Sequence, residues 1–424
     1  MSYIYSTLTS IINKISDKFH ESFLFTTIFS ILGFFENHFV NSYFKRLYPS
    51  ENFLSFLNKN VILKDHIFNP LIVLLLFSLF LLLSINRPSD SLIITLIIAF
   101  VGFFIGCSII PRHITIKNVI KFNRKDIYSI GFCLILVSVV FFLICIASVG
   151  GIPLLKPSIR YLLKPIFTMP VFLIIPGTCL IASAYLKDFQ DGKIIRSQVR
   201  FRFLILLLVD SALLLLLGYR TPLLAAFLII IIIGFYGNIV SLWEVVVGGL
   251  LGICAIIGIG YFRSLGEMTI TSSTSPLYTL QSRADFTLHV LNLLDFIGGT
   301  FGHTHGHMLA SSIPGSDLGP RMMVGKLIAW RTEVTVTPTL IGQMVVDFGK
   351  VGVFIEMCLL GFILGIGFKI MQKTKNSFYI GIYSLILTYA ILGIETGILD
   401  IHVLIYFIIA IFIYLTCIKR SFYK

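Results

Sequence analysis

The sequence is poor in charge. Only 12% of its 424 residues are Asp, Glu, Lys or Arg, whereas 57% are hydrophobic and the mean hydropathy is +0.95. An ordinary soluble protein carries about a quarter charged residues. This shortage excludes an ordinary soluble protein and indicates a polytopic membrane protein.

Cysteine is missing from the one long polar loop, which runs from about Tyr261 to Met344. All seven cysteines lie in apolar runs: Cys107, Cys133, Cys145, Cys179, Cys254, Cys358 and Cys417. Disulfides and thiolate metal sites are therefore not expected. The N-terminus also lacks the basic start and compact apolar core of a cleavable signal peptide, so we expect the first span to direct insertion.

Long apolar runs predict an all-α membrane protein with about 10 transmembrane helices. The predicted spans are 67–86, 91–110, 127–147, 166–186, 203–218, 222–239, 245–261, 344–368, 378–394 and 402–418. We interpret residues 1–66 as a separate cytoplasmic or interfacial region of amphipathic helices, since its apolar stretch is short and flanked by lysine. An eleventh span in that region is the alternative. Residues 67–424 then form the transmembrane domain.

Lysine and arginine in the short connections predict the orientation in the cell (plasma) membrane. The basic set is expected in the cytoplasm with both termini: residues 1–66, 111–126, 187–202, 369–377 and 419–424. The outer set is 148–165, the turn at Arg220, the large loop 262–343 and 395–401. The net charge of +13 lies in these connections and forms no basic stripe interleaved with aromatics, so nucleic acid is not an expected partner.

The outer connections keep arginine while they lose lysine. The outer arginines are Arg87, Arg160, Arg220, Arg263, Arg283, Arg321 and Arg331. Lysine suffices for topology, whereas the rigid fork of arginine suits phosphate or carboxylate. The pattern therefore predicts a bound oxyanion at the outer face, with scattered interfacial snorkelling as the alternative.

Two short segments hold arginine at the outer interface. In the segment 218–222 (Gly-Tyr-Arg-Thr-Pro), a tight hairpin between two apolar helices confines Arg220, as either a phosphate clamp or an interfacial anchor. Arg263 directly follows the predicted span 245–261. The segment 150–155 (Gly-Gly-Ile-Pro-Leu-Leu), followed by Arg160, is typical of a re-entrant or interfacial loop.

Three histidines alternate in the segment 301–307 (Phe-Gly-His-Thr-His-Gly-His). If the segment is extended, His303, His305 and His307 share one face. That arrangement could bind zinc, but no cysteine lies near and the spacing is not that of a helical metalloprotease. A histidine acting as a general base and a plain polar loop are the other interpretations.

Two carboxylates fall inside predicted spans, Asp210 and Glu356. Acids in a membrane are functional candidates by default. The alternative is structural pairing with a neighbouring helix, and two lone acids do not make a proton relay.

Several motifs together resemble the Wzy-type oligosaccharide repeat-unit polymerases, the O-antigen polymerase family. They are the hairpin 218–222, the loop 150–153, the arginine-rich outer loop, residues 313–315 before Pro320 and Arg321, and the segment 337–342 (Thr-Pro-Thr-Leu-Ile-Gly) leading into 347–352 (Asp-Phe-Gly-Lys-Val-Gly). The resemblance covers about residues 67–424.

The resemblance implies an α-helical enzyme similar to GT-C-type glycosyltransferases and O-antigen ligases. Its substrates would be oligosaccharides on polyprenyl phosphate or pyrophosphate, joined at the outer face without a metal or other cofactor. It implies Arg220 and Arg263 at the leaving phosphate, His305 or His303 as the base, and further phosphate contacts from Arg160, Arg283, Arg321 and Arg331. Apolar half-helices at 286–299 and 305–313 would line the groove. A flippase and a chain-length regulator are possible protein partners.

Three rival classes remain open. A flippase for the same glycans would show inverted repeats or broken helices at the midplane, and we find no internal repeat. An O-antigen-ligase-type transferase would use the same chemistry on another acceptor. A structural subunit of an export complex would not require arginine in place of lysine.

Overall fold

The structure is a computed structural model that describes residues 67–109, 122–155, 159, 162–267, 276–313, 318–329, 335–398 and 400–422. Every regular element in these ranges is a helix, and they contain no strand. The predicted all-α architecture is therefore confirmed for this part of the chain. The predicted interfacial region 1–66 lies outside the described residues.

Fourteen helices follow one another along the described part of the chain. They are α1 (Ile72–Leu82), α2 (Asp90–Ser108), α3 (Arg124–Val149), α4 (Pro165–Val171), α5 (Ile174–Gln190), α6 (Arg196–Leu216), α7 (Arg220–Tyr236), α8 (Leu242–Glu267), α9 (Pro276–Gly298), α10 (His307–Ala310), α11 (Pro320–Ala329), α12 (Thr339–Thr374), α13 (Ser377–Thr396) and α14 (Ile401–Phe422).

Five helical units in the described ranges are long and apolar enough to cross a membrane. They are α2, α3, the pair α4–α5, α12 and α13. Helices α1 and α7 are apolar but shorter, and α8 and α14 are apolar over Leu242–Gly252 and Ile401–Ile413, the continuous parts whose side chains the structure describes. Helix α6 carries Arg200, Arg202 and Asp210 and does not meet the same composition limit. Each of the ten predicted runs overlaps a helix, which agrees with a multi-pass membrane protein, while the count of ten stays a prediction.

Two predicted spans have different bounds in the structure. The run 67–86 holds a helix of only 11 residues, because Ser84 and the backbone of Ile85 bond to Asp285 instead of continuing α1. The run 166–186 is divided into α4 and α5. Pro176 has no N–H to offer the carbonyl of Phe172, and that carbonyl accepts the hydroxyl of Tyr406 at 2.8 Å.

Helices α2 and α12 run parallel in direct backbone contact. A Cβ at Gly106 would meet the carbonyl of Cys358, and a Cβ at Gly361 would meet the carbonyl of Phe103. Gly102 lies one turn before Gly106 and packs on Phe354. Small residues four apart let helices approach closely in a membrane. This pairing fixes α12, which carries part of the candidate site.

The two acids inside predicted spans, Asp210 and Glu356, differ in their hydrogen-bond partners. Both carboxylate oxygens of Asp210 lie 2.9 Å from the hydroxyl of Thr178 on α5, so the structure shows the pairing with a neighbouring helix that was the alternative interpretation. On α12, Oε2 of Glu356 is buried and has no hydrogen-bond partner among the described residues.

Connections assigned to the same side contact one another. On the side predicted to be cytoplasmic, Arg124 pairs with Asp188 at 2.7 Å, and Gln190 donates to the carbonyl of Lys375 at 2.8 Å. At the other end, the N–H of Leu154 donates to the carbonyl of Leu216 beside the hairpin, at 3.1 Å. The two sets thus gather at opposite ends of the helices. Which end faces the cytoplasm stays a prediction.

Candidate functional site

The hairpin between α6 and α7 holds Arg220 at the first residue of a helix. Gly218 adopts φ 76, a left-handed conformation that glycine reaches without strain, and its N–H donates to the carbonyl of Leu215 at 2.7 Å. Arg220 then begins α7 at once. Because amide N–H groups point outward at a helix N-terminus, an anion is favoured there.

Arg220 and Arg283 converge on one carboxylate. Nη2 of Arg220 lies 3.4 Å from Oε1 of Glu395, and Nη2 of Arg283 lies 3.2 Å from the same oxygen. The Arg220 side chain is only 18% exposed. Two guanidinium groups thus approach the same carboxylate oxygen. We call Arg220, Arg283 and Glu395 the arginine pair site.

A second group lies at the other end of the same turn. Nη2 of Arg321 on α11 bonds to Oδ2 of Asp400 at 2.9 Å, and Nδ1 of His402 lies 3.7 Å from that oxygen. The backbone carbonyl of Arg321 also accepts the N–H of Val336 at 3.0 Å, which anchors α11. Residues 395–402 therefore bring three predicted phosphate-binding arginines to one turn.

Helix α9, which supplies Arg283, is fixed against the α1–α2 turn. Oδ1 of Asp285 accepts the hydroxyl of Ser84 at 2.5 Å and the N–H of Ile85 at 2.8 Å. These hydrogen bonds lower the pKa of Asp285 from its ordinary value, and the bond from the Ser84 hydroxyl has the largest effect. Two turns further along α9, Oδ1 of Asn292 accepts the N–H of Ser89 at 2.9 Å. The guanidinium of Arg283 thus extends from a rigid helix.

The histidine segment docks on a break in α12. At Gly349 the helix takes φ 62 and ψ −151. The N–H groups of His303 and His305 donate to the carbonyls of Val346 and Asp347 at 2.7 and 3.1 Å. A Cβ at Gly302 would collide with the carbonyl of Asp347, which explains the glycine there.

Asp347 is the buried anchor of this segment. Its carboxylate accepts the hydroxyl of Thr304 at 2.5 Å and the N–H groups of Met308 and Leu309 at 2.9 and 2.8 Å. The carboxylate thereby caps the first turn of α10 and holds the segment to α12.

The segment is not extended, so the condition under which its three histidines would share one face is not met. It folds as consecutive turns, with positive φ at Gly302, His305 and Gly306. The side chains of His303, His305 and His307 are exposed. Within the described ranges, no group of three or more His, Cys, Asp or Glu side chains could hold a metal ion.

Other predicted elements of the outer loop differ in extent. Helix α8 continues to Glu267, so Arg263 lies within its last two turns, and its side chain is outside the described part. The half-helix 286–299 is part of the 23-residue α9, whereas 305–313 yields only the four-residue α10. Arg160 and Arg331 lie outside the described residues.

Sequence reasoning missed the acids that organise the arginines. Glu395 and Asp400 flank the turn between α13 and α14, and His402 follows it. A signal was available: fixed arginines at helix ends need counter-charges, and this turn is an outer connection with two acids. The pairing itself has no local signature, because Arg220 and Glu395 are 175 residues apart.

These features define a multi-pass α-helical membrane protein with an arginine–carboxylate site at one end of its helices. Its residues 66–407 match the protein family described as "Putative O-antigen polymerase". The match spans most of the chain, so the protein belongs to this family, and the resemblance inferred from its motifs is confirmed.

One similar relative is "Uncharacterized protein MJ0419" of Methanocaldococcus jannaschii. It is 27% identical over 293 residues, which cover 69% of this chain and 77% of the relative. No solved structure gives a significant match.

Proposed function

We propose that the protein polymerises lipid-linked oligosaccharide repeat units into a surface polysaccharide. It would transfer a glycan from polyprenyl phosphate or pyrophosphate to a sugar hydroxyl of the next lipid-linked unit, at the outer membrane face. The observation that carries this proposal is the convergence of Arg220 and Arg283 on Glu395, in a chain of the O-antigen polymerase family.

The chemistry requires stabilisation of a departing phosphate oxyanion. Fixed guanidinium groups provide it through charge-assisted hydrogen bonds, which gain strength where water is scarce. Arg220 and Arg283 both contact Glu395, and Arg321 adds a third guanidinium at the same turn. Arg160, Arg263 and Arg331 remain proposed phosphate contacts.

The reaction also requires a base for the attacking sugar hydroxyl. His303 and His305 remain the bases proposed from the sequence, since they lie in a segment that Asp347 holds rigidly. The glycosyl phosphate is already an activated donor, so the proposed transfer uses neither a nucleotide sugar nor a metal ion. The proposed partners are the lipid-linked substrates, the bilayer, and the flippase and chain-length regulator of the same glycan.

Surface glycan from a strain lacking the gene tests this function. Separation by length should show single repeat units in place of long chains, because capping of the first unit survives without polymerisation. A strain that loses all surface glycan would instead indicate a flippase or a ligase.

Complementation sharpens the test. The wild-type gene and Arg87→Ala should restore long chains, since Arg87 is an exposed residue outside the arginine pair site. Arg283→Ala at equal protein level should restore short chains at most. Full-length glycan from Arg283→Ala would contradict the assignment of this site to phosphate.

A further inference from the structure

We propose that His402, with Asp400 beside its ring, is the base that accepts the proton of the attacking sugar hydroxyl. The inference rests on the transfer proposed above and assigns its proton step to a residue of α14. It places the base next to the turn between α13 and α14 that the three arginines contact. The exposed histidines of the 301–307 segment are the alternative assignment.

The first observation is the position of His402 relative to charge. Its Nδ1 lies 3.7 Å from Oδ2 of Asp400, and the same oxygen is bound by Arg321 at 2.9 Å. A carboxylate on one ring nitrogen favours the tautomer with N–H on that side. Nε2 is then the nitrogen that can accept a proton. Arg321 holds Asp400 in place beside the imidazole.

The second observation is the enclosure of the ring. Aromatic rings of Phe172, Tyr389 and Tyr406 surround it, with centroids 5.9, 6.1 and 5.9 Å away. The hydroxyl of Tyr406 is engaged by the carbonyl of Phe172, so this tyrosine holds the wall of the enclosure in place. The side chain of His402 is 20% exposed, so the ring is not fully enclosed.

The third observation is a short path to the phosphate arginines. The ring of Phe172 packs edge-on against Tyr219 at 5.1 Å, and Tyr219 directly precedes Arg220. One aromatic side chain therefore separates His402 from the hairpin that carries Arg220.

The proposed transfer is a displacement at the anomeric carbon of the donor glycan. The sugar hydroxyl oxygen forms a bond to that carbon, while the bond from the carbon to the phosphate oxygen breaks. The electron pair goes to the phosphate oxygen, where Arg220 and Arg283 stabilise the charge. The hydroxyl proton passes to Nε2 of His402, and Asp400 stabilises the resulting imidazolium before the proton leaves to water.

The test uses purified full-length protein in nanodiscs with lipid-linked oligosaccharide as both donor and acceptor. His402→Gln keeps a side chain of similar reach but cannot take the proton at neutral pH. We expect its kcat to fall by on the order of 100-fold or more, with KM little changed. The groups facing His402 are Asp400, Arg321, Tyr389 and Tyr406, and all of them are kept in this variant.

The pH profile separates a proton role from a structural one. The wild-type rate should fall at acid pH as the base becomes protonated, and the residual rate of His402→Gln should lack this fall. His289→Gln, on the exposed side of α9, is the matched control and should keep the wild-type rate and profile. Thermal unfolding and chromatographic homogeneity of each variant check the fold.

The outcomes distinguish this inference from the function beneath it. A wild-type protein that joins no lipid-linked units overturns the polymerase proposal and this step with it. An active wild type with a fully active His402→Gln overturns the inference alone. If His303→Ala or His305→Ala lost the decrease in rate at acid pH while His402→Gln kept it, the base would lie in the 301–307 segment.

Discussion

At the scale of single residues, the arginines were predictable and their counter-ions were not. The shift from lysine to arginine between the two sets of connections is visible in the sequence alone and points to seven outer arginines, among them Arg220, Arg283 and Arg321. Glu395 and Asp400 pair with them across 175 and 79 residues of sequence, and such distances carry no local signal. The structure adds the pairing, and with it His402.

Arg220→Lys should lose most activity although the charge is kept. A lysine at the start of α7 offers a point charge on a flexible side chain and lacks the planar fork of arginine. Loss of one fixed oxyanion donor typically lowers the rate on the order of 100-fold. Chain-length analysis of glycan in complemented cells measures the effect.

The matched control for this variant is Arg87→Lys, at an exposed position of the α1–α2 turn. It should support full-length glycan. If Arg220→Lys does the same at normal protein level, Arg220 is only an interfacial anchor, which is the alternative that the hairpin sequence left open.

At the scale of helices, the apolar runs in the sequence predict where helices form. They do not predict where those helices break. The division between α4 and α5 has a visible cause in Pro176. The break in α12 has no proline, and Gly349 alone does not reveal it, since glycine also occurs within helices of this chain. The break is stabilised by tertiary bonds from residues 300–305, so only the folded chain shows it.

Asp347→Asn should loosen the histidine segment without unfolding the protein. The amide keeps the shape of the carboxylate but replaces one acceptor oxygen by a donor, so at least one of the three donors, those of Thr304, Met308 and Leu309, loses its acceptor. Such a loss costs about 1–3 kcal/mol. Hydrogen exchange of the amides in residues 303–309 should therefore accelerate by on the order of tenfold.

Asp295→Asn is the control for that measurement. Asp295 is also buried and accepts a threonine hydroxyl, from Thr95 at 2.6 Å, but it makes no described contact with residues 303–309. Its variant should leave their exchange unchanged. Equal exchange in Asp347→Asn and the wild type would show that the backbone bonds to α12 suffice to hold the segment.

At the scale of the whole molecule, connections assigned to the same side of the membrane contact one another. This agrees with helices that cross the membrane in alternating directions. Contacts such as Arg124 with Asp188 and Arg220 with Glu395 each join connections assigned to one side. The mechanism needs the arginine end to face outward, because the lipid-linked glycans are proposed to react there. The orientation rests on the lysine and arginine distribution.

Cysteine labelling in whole cells tests the orientation. After the native cysteines are replaced, a single cysteine at Ser282 or Thr300 should react with an impermeant reagent. A single cysteine at Ile195, which is 57% exposed in the 187–202 connection, should react only after the cells are opened. The reverse pattern would place the arginine end in the cytoplasm and remove the proposed outer-face mechanism.

The central claim is transfer between two lipid-linked glycans, and reconstitution measures it most directly. Purified protein should convert a defined lipid-linked repeat unit into a lipid-linked dimer and longer chains, with release of the free polyprenyl phosphate or pyrophosphate. The reaction should proceed with a chelator present and without any nucleotide sugar, and Arg220→Lys should block it. Transfer only to an acceptor without a lipid carrier, or movement of the lipid across the bilayer without transfer, would contradict the account.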